Sequence, residues 1–290
     1  MTDLAEVLET TEFNKVADGF VFTEGPLWHP DDFYYFVDVR SSVLYRMTLG
    51  QTPTVVRHTT GGNGTTFDLQ GRLINCEGDG RRVTRTELDG TVGTLIDRHE
   101  GKRLNRPNDV ICRSDGTLFF TDPALRVPVA ERDVGEGAVY RLSPDGSSHL
   151  VAWCEYPNGL ALSPDERTLY VANTRWTAYI HAIELDATGD MVRRRVFADM
   201  SSDLKEGVPD GMKVDAAGRV FCTGPGGVWV YAPDGTRIGV IETPEVTANL
   251  AFGGPDLKTL FMTSSTAIYT LRVMTPGQPH PWYRLCRQKS

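Results

Sequence analysis

An acidic or amide residue, a short turn and then a β-rich apolar run recur six times along this chain in one phase. Glu24-Gly25 leads into Phe33-Tyr34-Tyr35-Phe36, Asn63-Gly64 into Arg72-Leu73-Ile74, and Asn108-Asp109 into Thr117-Leu118-Phe119-Phe120. Asn158-Gly159 leads into Thr168-Leu169-Tyr170-Val171, Asp210-Gly211 into Arg219-Val220-Phe221, and Asn249-Leu250 into Thr259-Leu260-Phe261-Met262. From the polar residue to the second residue of the run the step is ten positions, or eleven where Ser-Pro-Asp or Gly-Pro-Asp lengthens the turn. The runs begin near residues 33, 72, 117, 168, 219 and 259, so successive units are 39 to 51 residues apart.

A period in this range, with room for four strands per unit, is the signature of propeller blades. A lone blade cannot cover both faces of its sheet, whereas a ring of blades hides the faces and leaves only short edges. Six units predict an all-β chain: one six-bladed β-propeller domain over residues 1–290 with a central metal site. Residues 1–15 are expected to form a peripheral N-terminal arm closing onto the last strands, and Arg284 to Ser290 a basic, polar tail. Another β-solenoid or two stacked sandwiches would suit the density of turns, but neither explains a polar residue at fixed phase.

The rest of the chain agrees with short strands. Asp89-Gly90, Asp115-Gly116, Asp145-Gly146 and Asp234-Gly235 are strong turn signals, and Gly137 to Leu142, Tyr179 to Leu185 and Gly227 to Tyr231 alternate or β-branch as sheet strands do. No run approaches the ~18 apolar residues of a membrane span. A formal charge of −8 argues against nucleic acid and anionic membranes as partners. Met1 to Lys15 lacks a basic stretch followed by an apolar one, so no signal peptide is expected and the expected compartment is the cytoplasm. Five cysteines, scattered and without a Cys-x-x-Cys pair, suit buried reduced thiols better than disulfides or a thiolate metal site. The six histidines share no repeat phase, which argues against a histidine metal cluster, and Trp28, Trp153, Trp176 and Trp229 read first as blade packing, with Trp176 on a loop able to overhang a pocket.

In a propeller the innermost strands line a central channel, so residues at one phase in six blades point to one small region. Here they are Glu24, Asn63, Asn108, Asn158, Asp210 and Asn249, and each offers an oxygen. Two carboxylates with several amide oxygens suit a hard divalent cation, which takes ~6 to 8 oxygen ligands in the case of calcium. Asn-Gly and Asp-Gly are also ordinary turn residues, and for Asn63 in its glycine-rich loop that reading stands level with a functional one. Glutamate before Gly25 has no such turn habit.

The runs Phe22-Thr23-Glu24-Gly25-Pro26, Lys102 to Val110, Phe119-Phe120-Thr121-Asp122-Pro123, Pro157 to Asp165 and Pro209-Asp210-Gly211-Met212 together resemble the gluconolactonase, senescence marker protein and luciferin-regenerating enzyme family. Asn249 to Thr263 extends the likeness over nearly the whole chain. The resemblance implies a six-bladed propeller with one divalent metal held by Glu24, Asn158 and Asp210. It implies further that Asn108 sits at or just outside the metal and that Arg106 reaches a substrate oxygen. Calcium suits the all-oxygen set best, and magnesium, manganese and zinc stay open. Two segments depart from the family pattern, Cys76-Glu77-Gly78 where many relatives carry a histidine, and Ala124-Leu125-Arg126 where many continue Pro-Tyr-Gly.

The implied reaction is hydrolysis of a small-molecule lactone by a gluconolactonase-like carboxylic ester hydrolase. Ring opening needs an activated water and stabilisation of the oxyanion, both of which a cation assists. Arg106 and Asn108 are expected to orient the ring, and Asp210 to act as the base, with Asp122 or Glu77 as substitutes should they border the pocket. For Arg106 the plain alternative is a surface salt bridge, and for Asp122 an Asp-Pro turn. The same site could instead serve a phosphotriesterase or arylesterase, since a metal that polarises C=O can polarise P=O. A binding propeller merely pinned by calcium is the reading without catalysis.

Overall fold

The computed structural model describes residues 3–287. Six four-stranded antiparallel sheets succeed one another around a central axis. Blade 1 comprises Thr23–His29, Phe33–Asp38, Val43–Met47 and Thr54–His58, and blade 2 Gly62–Phe67, Leu73–Glu77, Arg82–Thr86 and Val92–Ile96. Blade 3 comprises Val110–Cys112, Leu118–Asp122, Gly137–Leu142 and Ser148–Cys154, and blade 4 Pro157–Leu162, Thr168–Asn173, Tyr179–Leu185 and Met191–Asp199. Blade 5 comprises Met212–Val214, Val220–Gly224, Gly227–Tyr231 and Arg237–Glu242. Blade 6 takes Thr247–Gly253, Thr259–Ser264 and Ala267–Arg272 from its own stretch and its fourth strand, Asn14–Asp18, from the N-terminal end. That borrowed strand closes the ring. The first strand of each blade contacts the first strands of both neighbours, so six strands enclose the channel.

The apolar runs of the repeat are the second strands, sandwiched between neighbouring blades. Successive side chains of a strand point to opposite faces. Phe119 therefore packs into the seam with blade 4 while Phe120 packs into the seam with blade 2, and Leu260 and Phe261 divide likewise between blades 5 and 1. Hydrophobic burial is thus spread over the seams. Cys76, Cys112, Cys154 and Cys222 are buried free thiols and Cys286 is a half-buried one. Trp28 and Trp229 are packed inside, but Trp153 and Trp176 are 46% and 78% exposed, against the expectation of blade packing for Trp153.

The expected tail is a structural element instead. Pro281–Arg287 is a short helix, and Tyr283 is buried with its hydroxyl donating to the Trp28 carbonyl. The segment before it is strapped to blades 5 and 6, where Gln278 N–H donates to the Val214 carbonyl (3.0 Å) and Gly277 N–H to that of Leu257 (2.8 Å). Trp282 and Tyr283, just before the stretch expected to be a tail, anchor it against Phe67 and Trp28. Residues 288–290 of the expected tail lie outside the described residues. The strap covers one end of the axial cavity, which is walled by Leu27, Thr65, Ile111, Ala161, Lys213 and Ala251, one residue from each blade.

Candidate metal centre and substrate mouth

The six phase residues lie at the start of the first strands, near the other end of the axis. The sequence placed them in turns; the structure puts Glu24, Asn63, Asn158 and Asn249 inside strands, where the pairing register shifts in each case. Such a shift re-aims a side chain out of the regular alternation. The glycines that follow are explained by crowding. A Cβ on Gly64 would lie 2.2 Å from Asp109 Oδ1, one on Gly159 2.1 Å from the Asp210 carbonyl oxygen, and one on Gly211 2.1 Å from Asn249 Oδ1. None of these three has the left-handed backbone a turn glycine serves, whereas Gly25 has φ of 56° and the same tight approach, 2.2 Å to the Asn63 carbonyl. Neighbouring first strands can converge on the axis only where a side chain is missing.

Hydrogen bonds then divide the six into side chains that keep an oxygen free and side chains that support a neighbour. Asn158 is buried, and its Nδ2 donates to Thr174 Oγ1 at 2.9 Å, while that hydroxyl donates to the Pro209 carbonyl at 2.8 Å. The amide orientation is thereby fixed, and Asn158 Oδ1 is left buried without a partner. Asn249 is the reverse case. Its Nδ2 donates to Glu24 Oε2 at 2.9 Å and its Oδ1 accepts from Leu250 N–H at 2.8 Å, so it holds Glu24 in place. Glu24 Oε2 also accepts from Gly25 N–H at 2.9 Å. Among the described residues no donor reaches the Asp210 carboxylate. Asn63 and Asn108 are half-buried, with side chains free of hydrogen bonds among the described residues.

The electrostatics show a shortage of positive charge. Burial raises the Glu24 carboxyl above the usual carboxylate range, and Asp109 adds to the effect; burial raises Asp210 well above it, with Glu24 and Asp109 next in weight. Asp109 is itself raised by burial, most strongly offset by Lys213. Three carboxylates that resist ionising together, beside a buried amide oxygen lacking a donor, match what a hard cation supplies. No group of three or more His, Cys, Asp or Glu side chains among the described residues is arranged to hold a metal, so a cation here depends on amide oxygens as well. Glu24, Asn158 and Asp210 provide that mixed set, and the fit is good.

Above this ring opens a mouth lined by Asn63, Arg106, Asn108, Arg126 and Tyr156 among others. Arg106 is ion-paired with Asp79 there, so its surface salt bridge and its place at the mouth coexist. Glu77 and Asp122 do not line it. Glu77 is fully buried between Arg57 of blade 1 and Arg82 of its own blade, each at 2.7 Å, and so staples blade 2 to blade 1. Asp122 is fully buried beneath the 105–108 segment, accepting from Asn105 N–H at 2.8 Å and also from Arg106 N–H. Burial lifts its carboxyl to about 7. It shapes the mouth by holding the backbone that carries Arg106 and Asn108.

Sequence reasoning missed Asp109, Thr174 and Lys213. Asp109 stands where four blades have glycine, with Oδ1 on Val110 N–H (2.8 Å) and Oδ2 buried without a partner. That substitution in the repeat was a visible signal. Thr174 gave none, because it lies sixteen residues after Asn158 on a different strand end.

Residues 22–266 match the family model described as SMP-30/Gluconolactonase/LRE-like region. The gluconolactonase of Zymomonas mobilis is 30% identical over 92% of this chain and 83% of its own length. A pentonolactonase of Haloferax volcanii is 33% identical over 83% of this chain and 81% of its own. Among solved structures, a Xanthomonas campestris gluconolactonase superposes with a TM-score of 0.86 at 35% identity, covering 93% of this chain and 92% of the other. A calcium-binding regucalcin from Agrobacterium tumefaciens shares the fold, with a TM-score of 0.77 at 22% identity over 96% and 97% of the two chains. With the repeat, the closed ring of first strands and these likenesses in agreement, the chain belongs to the SMP-30/gluconolactonase/LRE-like family.

Proposed function

We propose that the chain is a metal-dependent lactonase, a carboxylic ester hydrolase that opens a sugar lactone or another small lactone. The observation that carries this reading is Asn158 Oδ1, buried without a partner beside the mutually opposed Glu24 and Asp210 carboxylates. The names of the gluconolactonase and pentonolactonase relatives support the substrate class. Glu24, Asn158 and Asp210 would hold one divalent cation, calcium foremost, with Asn108 at its edge. Bound there, a cation would supply Lewis acidity toward the lactone carbonyl and toward water.

The residues of the chain do the rest. Asn108 and the guanidinium of Arg106 offer donors at the mouth to the ring oxygen and hydroxyls, fixing the face that water meets. Asp210, whose oxygens are free of donors, takes the proton as water adds to the carbonyl carbon. The acyl–oxygen bond then breaks, the ring oxygen leaves as a hydroxyl with that proton, and the product is a hydroxy acid. Asn249 and Thr174 keep Glu24 and Asn158 aimed.

Proton release from glucono-, xylono- and valerolactone, measured on chelator-stripped protein and after adding back each ion, tests the proposal. Turnover of at least one lactone that returns with a divalent ion is expected. Turnover of paraoxon alone, or of nothing while chelation lowers the melting temperature, would overturn it.

A further inference from the structure

The chain is acidic overall, yet the residues lining the mouth include two guanidiniums and no carboxylate. Their states differ. Arg106 is neutralised by Asp79, whereas Arg126 has neither a hydrogen bond nor a salt bridge among the described residues. Most arginines with a settled role in this fold are tied down, as Arg57, Arg82, Arg113, Arg141 and Arg219 are by carboxylates.

The backbone under Arg126 is nevertheless built. Val127 N–H donates to the Ala124 carbonyl at 3.0 Å, Arg132 Nε to that of Val127 at 2.8 Å, and Arg81 Nη1 to that of Glu131 at 3.0 Å. Arg81, buried, is anchored in turn on the Leu104 carbonyl by Nε at 2.6 Å. The brace holds the backbone at the rim of the mouth, and the Arg126 side chain it carries is exposed there. Arg126 lines the same mouth as Asn63 and Asn108, two of the six residues in phase around the axis.

A charge count gives the consequence. Asp79 answers Arg106, so of the two guanidiniums at the mouth Arg126 is the one left without a carboxylate among the described residues. A neutral polyol lactone leaves that charge unanswered. Arginine answers planar, two-oxygen anions best, through paired N–H donors.

We propose that Arg126 sets specificity at this mouth and that the preferred lactone carries an anionic group, a carboxylate or a phosphate monoester, on the side of the ring facing the 123–136 loop. This inference rests on the lactonase reading for its substrate class. It also gives a physical role to Ala124-Leu125-Arg126, one of the two segments in which the sequence departs from the family pattern.

The test compares kcat/KM for gluconolactone with that for its 6-phosphate and for a glucarolactone, in the wild type, Arg126→Gln and Arg126→Lys. The wild type should prefer at least one anionic lactone by tenfold or more, and the arm that does so identifies phosphate or carboxylate. Arg126→Gln should cut the anionic-to-neutral ratio at least tenfold, chiefly through KM, and Arg126→Lys should restore part of it. A wild-type ratio near one, or a ratio unmoved by Arg126→Gln, would overturn the inference. The corresponding lactams contain no ester, so their binding reads the same preference whether or not the chain hydrolyses lactones. Tighter binding of the phosphorylated or carboxylated lactam with no hydrolysis would sustain the anion site and sink the lactonase reading alone.

Discussion

Asn158 shows how a single amide is held with its oxygen unanswered. An unpaired buried carbonyl oxygen costs about 1–3 kcal/mol, and the Thr174 hydroxyl enforces that cost by claiming the Nδ2 end. Removing the hydroxyl frees the amide to rotate. Thr174→Val should therefore weaken cation binding by about 10- to 100-fold while leaving the far-ultraviolet spectrum of the fold intact, as titration calorimetry would record. Unchanged affinity would show that Asn158 needs no such support. Crowding makes a second prediction at this scale. Gly211→Ala places a methyl group 2.1 Å from Asn249 Oδ1, so it should cost about 1–3 kcal/mol in urea unfolding and disturb the Glu24 contact that Asn249 makes. The placement of Glu24, Asn158 and Asp210 around one axis was legible in the sequence because the repeat puts them in phase. Glu77 and Asp122 were not legible as supports, because a carboxylate bound by arginines or backbone N–H groups reads in sequence like one facing a pocket.

The second strands were the most legible elements, since burial on both faces leaves an unbroken apolar run. The first strands were hidden. Their glycines and register shifts read as turns, because close approach and turn formation call for the same residue. The tail expected from Arg284 onward proved to continue a helix that starts at Pro281, because the aromatic anchors Trp282 and Tyr283 lie just before the basic residues. Within the C-terminal strap His280 Nδ1 accepts from Trp282 N–H at 3.1 Å, so its proton sits on Nε2, which meets Thr66 Oγ1 at 3.2 Å. Burial lowers its pKa from 6.5 to about 3. The folded value is depressed, so the contribution is complete above about 6.5 and declines as the pH falls toward 3, by up to about 1.4 kcal/mol per unit. Wild-type urea midpoints should fall on acidification from pH 6.5 to 4.5 more steeply than those of His280→Gln. Parallel slopes would show that the imidazole is not held neutral by the strap.

At the scale of the whole molecule, the candidate ligands come from different blades: Glu24 from blade 1, Asn158 from blade 4 and Asp210 from the entry to blade 5. A cation held by them would tie blade 1 to blades 4 and 5, which lie two or more places around the ring from it, while the strand Asn14–Asp18 closes the circle at blade 6. Binding and stability are then linked. At an ion concentration of about 100 times Kd the folded state gains about 2.7 kcal/mol, so chelation should lower the melting temperature and replacement of the ion should restore it. A melting temperature indifferent to chelator would leave the ring without that tie. The number of blades was legible because one period runs through the chain, but what fills each end of the axis was not, since the mouth and the strap come from loops outside the repeat.

The most direct measurement is calcium titration of chelator-stripped protein by calorimetry, with Glu24→Ala and Asp210→Ala beside the wild type. One ion per chain is expected for the wild type, with affinity reduced at least 100-fold in either variant and circular dichroism unchanged. Equal uptake by all three proteins would contradict the cation site on which the lactonase reading depends.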